Sequence, residues 1–447
     1  MATKPRVEPR LQRMASAFGP EWLVAQRWYR TKIRRPTSVE LFDIVAIPGT
    51  AGCLLVMAAI DADTTAHYLL PAVVDRDAFR EPRDGEGVWR SLAHLMAAGG
   101  RLDGRRGRFS FRAAPGLAGL MPASAGEHGL DERRLGVEQS NTSVALGHRL
   151  ILKCYLLLTP GTNPEVEVNA FLTAVGFVGA PRLGGFADYV VESDKPAAAA
   201  MLQELVASET DGWAWVQACL AGGAAGRDRA TDGLRGVGTL TRELHLALAS
   251  RPDDPAFPAR MASARELAAW HARAELQLET ALGALADAPR GRLLAIAAGI
   301  RRRLAALRTA GDTRVTRIHG DYHLGQLLRT DAGFSVIDFE GEPARPLAER
   351  REPASPLRDV AGMLRSIDYA ASVAWRESRL TGLDTWAHGA REAFLSAYGR
   401  ISLSEADLLG ALEVEKACYE VAYEANNRPD WVSVPMAALE RLTGASA

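Results

Sequence analysis

The sequence is poor in cysteine, in lysine and in long apolar runs, and each shortage excludes a class of protein. Its four cysteines, Cys53, Cys154, Cys219 and Cys418, stand far apart and form no C-x-x-C pair. That spacing argues against a zinc site or a disulfide framework and suits a reducing compartment. No apolar run approaches the roughly 20 residues that a bilayer-spanning helix needs. The first twenty residues also lack the continuous apolar core of a secretory signal. We therefore expect a cytoplasmic protein with no membrane partner. Neither sign of charge is in excess: 53 Lys and Arg against 54 Asp and Glu leave a formal net charge of −1. Nothing global recruits nucleic acid or an anionic surface. Lysine is scarce beside arginine, alanine and glycine, a base-composition bias that in itself carries no chemistry. Internal repeats, low-complexity tracts and coiled-coil heptads are missing too.

What remains is an ordinary globular composition, 47% hydrophobic and 24% charged, over 447 residues. That length supports two or three domains with more than one core. Residues 14–28 have the pattern of a short amphipathic helix. Segments near 38–47, 53–60 and 66–74 alternate or run apolar between Gly, Asp and Pro, which predicts an antiparallel sheet. Residues 88–98 read as a helix, and the Gly/Arg-rich stretch 99–108 as a turn or loop. FSFRAA, SVALG, RLILKCYLLL and YVVES then read as strands, with one helix from about Pro164 to Val175. Beyond 212 the period becomes helical, over 213–221, 234–250, 264–285, 289–309, 356–374, 383–400 and 404–427, with GGAAG (222–226) joining two helices. The fold class is α+β, with boundaries at 1–105, 106–210 (β-rich) and 211–447 (mainly helical).

One span breaks the bland pattern. RIHGDYHLGQLLRTDAGFSVIDFEGEP (317–343) sets two histidines, three aspartates, a glutamine and two glutamates around the apolar run 334–337. Buried charge is costly unless paired, hydrogen-bonded or bound to metal. The spacing suits a phosphotransferase. His319-Gly320-Asp321 is followed after four residues by Gln326, and the apolar strand then delivers Asp338. Protein kinases space a catalytic carboxylate and two metal ligands in a comparable way. Asp321 is the candidate for accepting or orienting the proton of an attacking hydroxyl. Gln326 and Asp338 are the candidate Mg²⁺ ligands, since Mg²⁺ takes hard oxygens and completes its shell with water and phosphate. His319 and His323 read as braces of the loop.

ATP phosphates need a cation, and Lys153 interrupts an apolar strand. Glu167 lies one turn before Phe171, so it can face that strand, and we expect a Lys153–Glu167 pair; the alternative is a solvated edge lysine. In GVEQSNTSVALG, the amides and hydroxyls of Ser140, Asn141, Thr142 and Ser143 suit phosphate. Position alone suggests that backbone groups of Glu204 and Val206, in AMLQELVAS, meet the adenine edge. In SPLRDVAGML, Ser355 reads as a helix N-cap and Asp359 as a structural brace near the positive helix end. On the last long helix Val414, Cys418, Val421 and Ala425 form an apolar stripe. Lys416, Glu420, Tyr423 and Asn427 lie roughly opposite. Tyr419 and Tyr423 offer flat surfaces for sugar rings, with polar groups near for hydroxyls.

These blocks, together with QRWYRTK (26–32), PGTNPEVEVN (160–169), the stretch 337–371 and EKACYEVAYEANNRPDW (415–431), make the chain resemble the bacterial maltokinases. That family belongs to the aminoglycoside-phosphotransferase-like, eukaryotic-kinase-like superfamily, and the resemblance spans nearly the whole chain. It implies a bilobal protein-kinase-like fold with an N-terminal α/β cap. It implies ATP- and Mg²⁺-dependent phosphorylation of maltose at its anomeric hydroxyl, giving maltose 1-phosphate for α-glucan and glycogen synthesis. It implies sugar contacts from Lys416, Tyr419, Glu420, Tyr423 and Trp431, and a pathway link to trehalose synthase as partner. Two alternatives stand beside it: a kinase of another sugar such as glucosamine, with Glu420 or Glu424 placed for the amine, or a non-catalytic partner of trehalose synthase.

Overall fold

The computed structural model describes residues 9–26, 29, 35–62, 64–121, 130–135, 141–191 and 195–444. The chain divides into two compact units, Met1–Val206 and Ala207–Ala447.

The first unit opens with α1 (Pro9–Ala15) and α2 (Pro20–Ala25), then β1 (Ser38–Ala46), β2 (Gly52–Ile60), β3 (Thr65–Asp75) and β4 (Ala78–Arg80). Next come α3 (Val88–Ala97), β5 (Arg101–Asp103), β6 (Gly107–Ala113), α4 (Leu117–Leu120), β7 (Glu132–Arg134), β8 (Asn141–Leu146) and β9 (Leu150–Tyr155). It closes with β10 (Leu157–Leu158), α5 (Pro164–Ala174), β11 (Leu183–Val191) and β12 (Ala197–Glu204). One sheet runs β1-β2-β3-β10, with β4 on β3; the other runs β5-β6-β11-β12-β9-β8-β7. Among the described residues all strand pairings in these two sheets are antiparallel.

β2 is buried almost end to end because both its faces are covered. Leu55 and Met57 pack with Leu23 and Met14 of the N-terminal helices. Leu54 and Val56 join Trp89, Leu92 and Phe109 in the core that the two sheets share. Residues read as cap and as β-rich domain therefore belong to one compact unit, and β5 and β6, on either side of the expected 105/106 boundary, pair with each other. RLILKCYLLL, expected as one strand, serves both sheets. β9 lies in the larger one, and after Leu156 the chain crosses to pair β10 with β3.

The second unit is mostly helical: β13 (Thr210–Asp211), α6 (Gly212–Ala221), α7 (Gly223–Leu248), β14 (Arg260–Met261), α8 (Ala264–Ala284), α9 (Asp287–Leu304), α10 (Ala306–Thr309) and β15 (Arg314–Val315). There follow β16 (Leu327–Thr330), β17 (Gly333–Val336), α11 (Leu357–Ser378), α12 (Leu383–Tyr398), α13 (Leu403–Asn427) and α14 (Ser433–Thr443). α8 and α13 each begin with a capping box, Ser263 with Glu266 and Ser402 with Glu405. Both satisfy donors that a helix N-terminus leaves open. Gly222 alone joins α6 to α7, and the rest of GGAAG belongs to α7, which starts at Gly223. α14 was not foreseen. No described helix is long and apolar enough to cross a membrane.

Candidate active site

In the first unit Lys153 lies on β9, opposite Ser143 of β8. Its side chain is 12% exposed, and its ammonium stands 2.7 Å from Glu165 Oε2. The expected partner was Glu167, so the pair is corrected by two residues. The reason lies at the start of α5. Asn163 caps the helix by accepting from the amides of Glu165 and Val166. That turns Glu165, 2% exposed, toward the sheet, where Tyr155 also donates to it at 2.8 Å. Asn169, one turn on, contacts Met201 of β12 on the same face. Two residues along a helix is about 200° of rotation, which takes Glu167 off that face.

Asn141, Thr142 and Ser143 lie on β8 rather than in a turn; Ser140 lies outside the described residues. Glu204 ends β12, its carboxylate held by Arg182 at 2.9 and 3.0 Å and its amide donating to Arg182 O. That leaves its side chain committed to structure. Val206, half-buried, closes the unit.

In the second unit the chain from β15 to β17 forms a braced loop. Asp359 of α11, 1% exposed, accepts from His319 N at 2.8 Å, Gly320 N at 2.9 Å and His245 Nε2 at 3.1 Å. Burial raises its pKa, but the His245 hydrogen bond, nearby charge and the Gly320 amide outweigh burial and hold it below the ordinary carboxylate range. Gly320 has φ 84°, a conformation that spares glycine the Cβ clash. Gly362, one turn after Asp359, lets the helix meet the loop; a Cβ there would fall 2.5 Å from Tyr322 O. Ser366, another turn on, accepts from Leu324 N at 3.1 Å. Positions 359, 362 and 366 thus form one helix face that carries the loop.

His319 Nε2 donates to Ile337 O at 2.9 Å, and its Nδ1 accepts from Asp321 N at 3.3 Å. His323 Nδ1 accepts from Gly325 N at 3.0 Å. Both histidines are tied within the loop. Burial, ahead of all charges, pushes His323 below its usual pKa. Gln326 and Asp338 converge, Gln326 Nε2 standing 3.4 Å from Asp338 Oδ2. Asp338 adopts φ 66°, a left-handed conformation that costs a non-glycine residue about 1–2 kcal/mol. Two polar heads aimed at one point, on a strained backbone, fit a divalent cation that takes one carboxylate and one amide oxygen.

Asp321 faces a cavity lined by Gln277, Glu342, Arg345, Arg358, Lys416 and Tyr419, among others. Lys416 Nζ is 3.5 Å from Asp321 Oδ1. Burial lowers the Lys416 pKa, but Asp321 and Glu420 more than offset it, so the ammonium is held above its usual range. Lys416 also lies 4.9 Å from the centre of the Tyr419 ring, and Tyr423 stacks on that ring at 6.3 Å. Tyr419 is therefore flanked by a neighbour one turn before and one turn after. Its edge and hydroxyl remain. Glu420 is bound by the buried Arg365 at 2.6 and 3.2 Å, both contacts on Oε2, and Oε1 stays open. Glu424 is 2% exposed and held by Tyr369 and Arg428. Trp431 does not line this cavity; its ring stacks on Tyr369 at 6.2 Å beneath Arg376. Gln277, Glu342 and Arg358 were not among the residues expected from the sequence.

Comparison with known proteins agrees with this architecture. Residues 131–395 match the phosphotransferase enzyme family (APH). A glucosamine kinase of Streptacidiphilus jiangxiensis is 30% identical, over 97% of this chain and 98% of its own. One from Mycolicibacterium smegmatis is 32% identical over 70% of this chain and 79% of its own. Among solved structures, a glucosamine kinase in complex with glucosamine, ADP and inorganic phosphate superposes with a TM-score of 0.72 at 26% identity, covering 98% of this chain and 100% of that one. These relatives correct the maltokinase resemblance: the catalytic motifs report a reaction and are silent about the sugar. From the matched segment and the full-length relative, this chain belongs to the phosphotransferase enzyme family, on a bilobal, kinase-like α+β fold.

Proposed function

We propose that the chain is an ATP-dependent kinase of glucosamine. The observation that carries this reading is the full-length similarity to a glucosamine kinase. It is supported by the free Oε1 of Glu420, which offers an anionic acceptor to an ammonium beside the Asp321 cavity. Asp321 takes or orients the proton of the attacking hydroxyl. In the second unit Asp338 and Gln326 would hold Mg²⁺, which would neutralise charge on a nucleotide's phosphates; in the first, Lys153, fixed by Glu165, is the cation offered to phosphate. Asn141, Thr142, Ser143, Val206 and the backbone of Glu204 remain nucleotide-side candidates, and Glu167 yields its place to Glu165.

The spacing along α13 also selects a hydroxyl. Lys416 marks the position of Asp321, and Glu420 lies one turn further, about 6 Å along the axis. An amine on Glu420 puts the adjacent C1 and C3 hydroxyls too close to that anchor, whereas the C6 hydroxyl reaches across the ring. The flanked Tyr419 favours a single ring over maltose. Phosphorus NMR of the product from ATP with each sugar tests this: glucosamine should give a primary phosphate ester at C6. Turnover of maltose with none of glucosamine would overturn the reading.

A further inference from the structure

We infer that the cavity beside Asp321 carries a second subsite, built from Arg273, Gln277 and Arg358, that binds a tetrahedral oxyanion: inorganic phosphate or the phosphate monoester of a sugar phosphate. Each carboxylate that lines the cavity is engaged, Asp359 by the His245, His319 and Gly320 donors already described. Asp321 meets Lys416, Glu342 meets Arg345 at 2.6 Å, and Glu415 meets Arg358 Nη1 at 3.0 Å. Arg273 is left over. It lies on α8 one turn before the cavity-lining Gln277, on the same helix face. Among the described residues it makes no hydrogen bond or ion pair, and neither does the Gln277 side chain. Arg358 completes the set, because its Nη2 is buried without an acceptor.

An unpaired guanidinium is costly to hold beside others. Burial, and then the charges of Arg345 and Arg358, push the Arg273 pKa below its usual range, with Glu415 and Glu349 failing to compensate. Three sets of donors without acceptors, one of them on an unpaired guanidinium, describe a site that fits an anion with several oxygens. Guanidinium forks suit phosphate for that reason. The subsite flanks the Asp321 cavity, so an anion seated there competes with the acceptor.

The inference rests on Asp321 marking the acceptor side, and not on which sugar is used. Calorimetric titration of sodium phosphate into the full chain needs neither sugar nor turnover, so its failure is distinct from a failed glucosamine assay. The wild type should bind phosphate, and Arg273→Met should weaken that binding about tenfold or more, with turnover in phosphate-free buffer unchanged. Gln277→Leu should weaken it less. Removing an unpaired cation should leave the melting temperature equal or higher, and a fixed phosphate concentration should raise it most in the wild type, less in Gln277→Leu and least in Arg273→Met. Tighter binding of glucose 6-phosphate than of inorganic phosphate assigns the site to sugar phosphates; the reverse order assigns it to the free anion. Equal phosphate binding by the wild type and both variants, or no binding in the millimolar range, overturns the proposal.

Discussion

Within the second unit, the loop that carries Asp321 and the cavity wall facing it are built on opposite plans. In the loop nearly every polar atom is committed: Asp359 takes three donors, both histidines bond at short range, and Ser366 takes Leu324 N. On the wall and next to it, valences stay open: Gln277 and Arg358 Nη2 line the cavity, Arg273 lies one turn before Gln277, and Glu420 Oε1 one turn after Lys416. Reacting groups gain from rigid placement, because reorganisation at the moment of reaction is then avoided. A binding wall gains from unsatisfied groups, because a ligand that satisfies them is rewarded and one that cannot is rejected.

Mutations can break this contrast or sharpen it. Asp321→Asn should lower kcat by about 10²–10⁴ while the protein folds and binds nucleotide normally; steady-state kinetics beside a thermal melt decide it. Asp359→Asn should cost stability, about 1–3 kcal/mol, because an amide cannot accept all three of the buried donors that the carboxylate takes. Its pH signature is definite. The folded-state pKa of Asp359 is depressed, so its contribution is complete above the unfolded carboxyl pKa and is lost as pH falls through the folded one. Denaturant titrations across the acid range should therefore show a shallower acid limb in the variant. On the wall, Glu420→Gln should raise the KM for glucosamine about 10- to 100-fold with kcat nearly unchanged, the loss of one charge-assisted contact. Equal effects on glucose and glucosamine would remove Glu420 from amine recognition. The smallest effect belongs to Tyr423→Ala. Tyr423 is 47% exposed and stacks only as a rim residue, so a change of a few-fold in KM is expected.

The same contrast governs what could be read from sequence. Asp321, Gln326 and Asp338 share one short segment, so spacing alone brought them together, and Asp359 was visible as a brace from its place in the first turn of α11. The Lys153 partner was missed by two residues because the choice between Glu165 and Glu167 depends on the phase of α5, fixed by the Asn163 cap and the Tyr155 contact. For the tyrosines, helical spacing shows which side chains share a face but not how their rings turn. Arg273 and Gln277 lie more than 40 residues before Asp321 in the chain, and no local pattern announces a cation whose distinction is to lack a partner. The change of sheet at Leu156 was equally hidden, since one apolar run fits either sheet.

The shortage of lysine acquires a use here. Lys416 is the only lysine beyond residue 206, and the chain holds just Lys4, Lys32, Lys153 and Lys195 besides. Reductive methylation with isotopically labelled formaldehyde would tag five side chains and the N-terminus without altering charge. Lys416, pressed between Asp321 and the Tyr419 ring, would be shifted by ring current away from solvated amines. A spectrum of so few lines would then follow the chemistry at a single carboxylate, with Lys153 as an independent witness on the first unit.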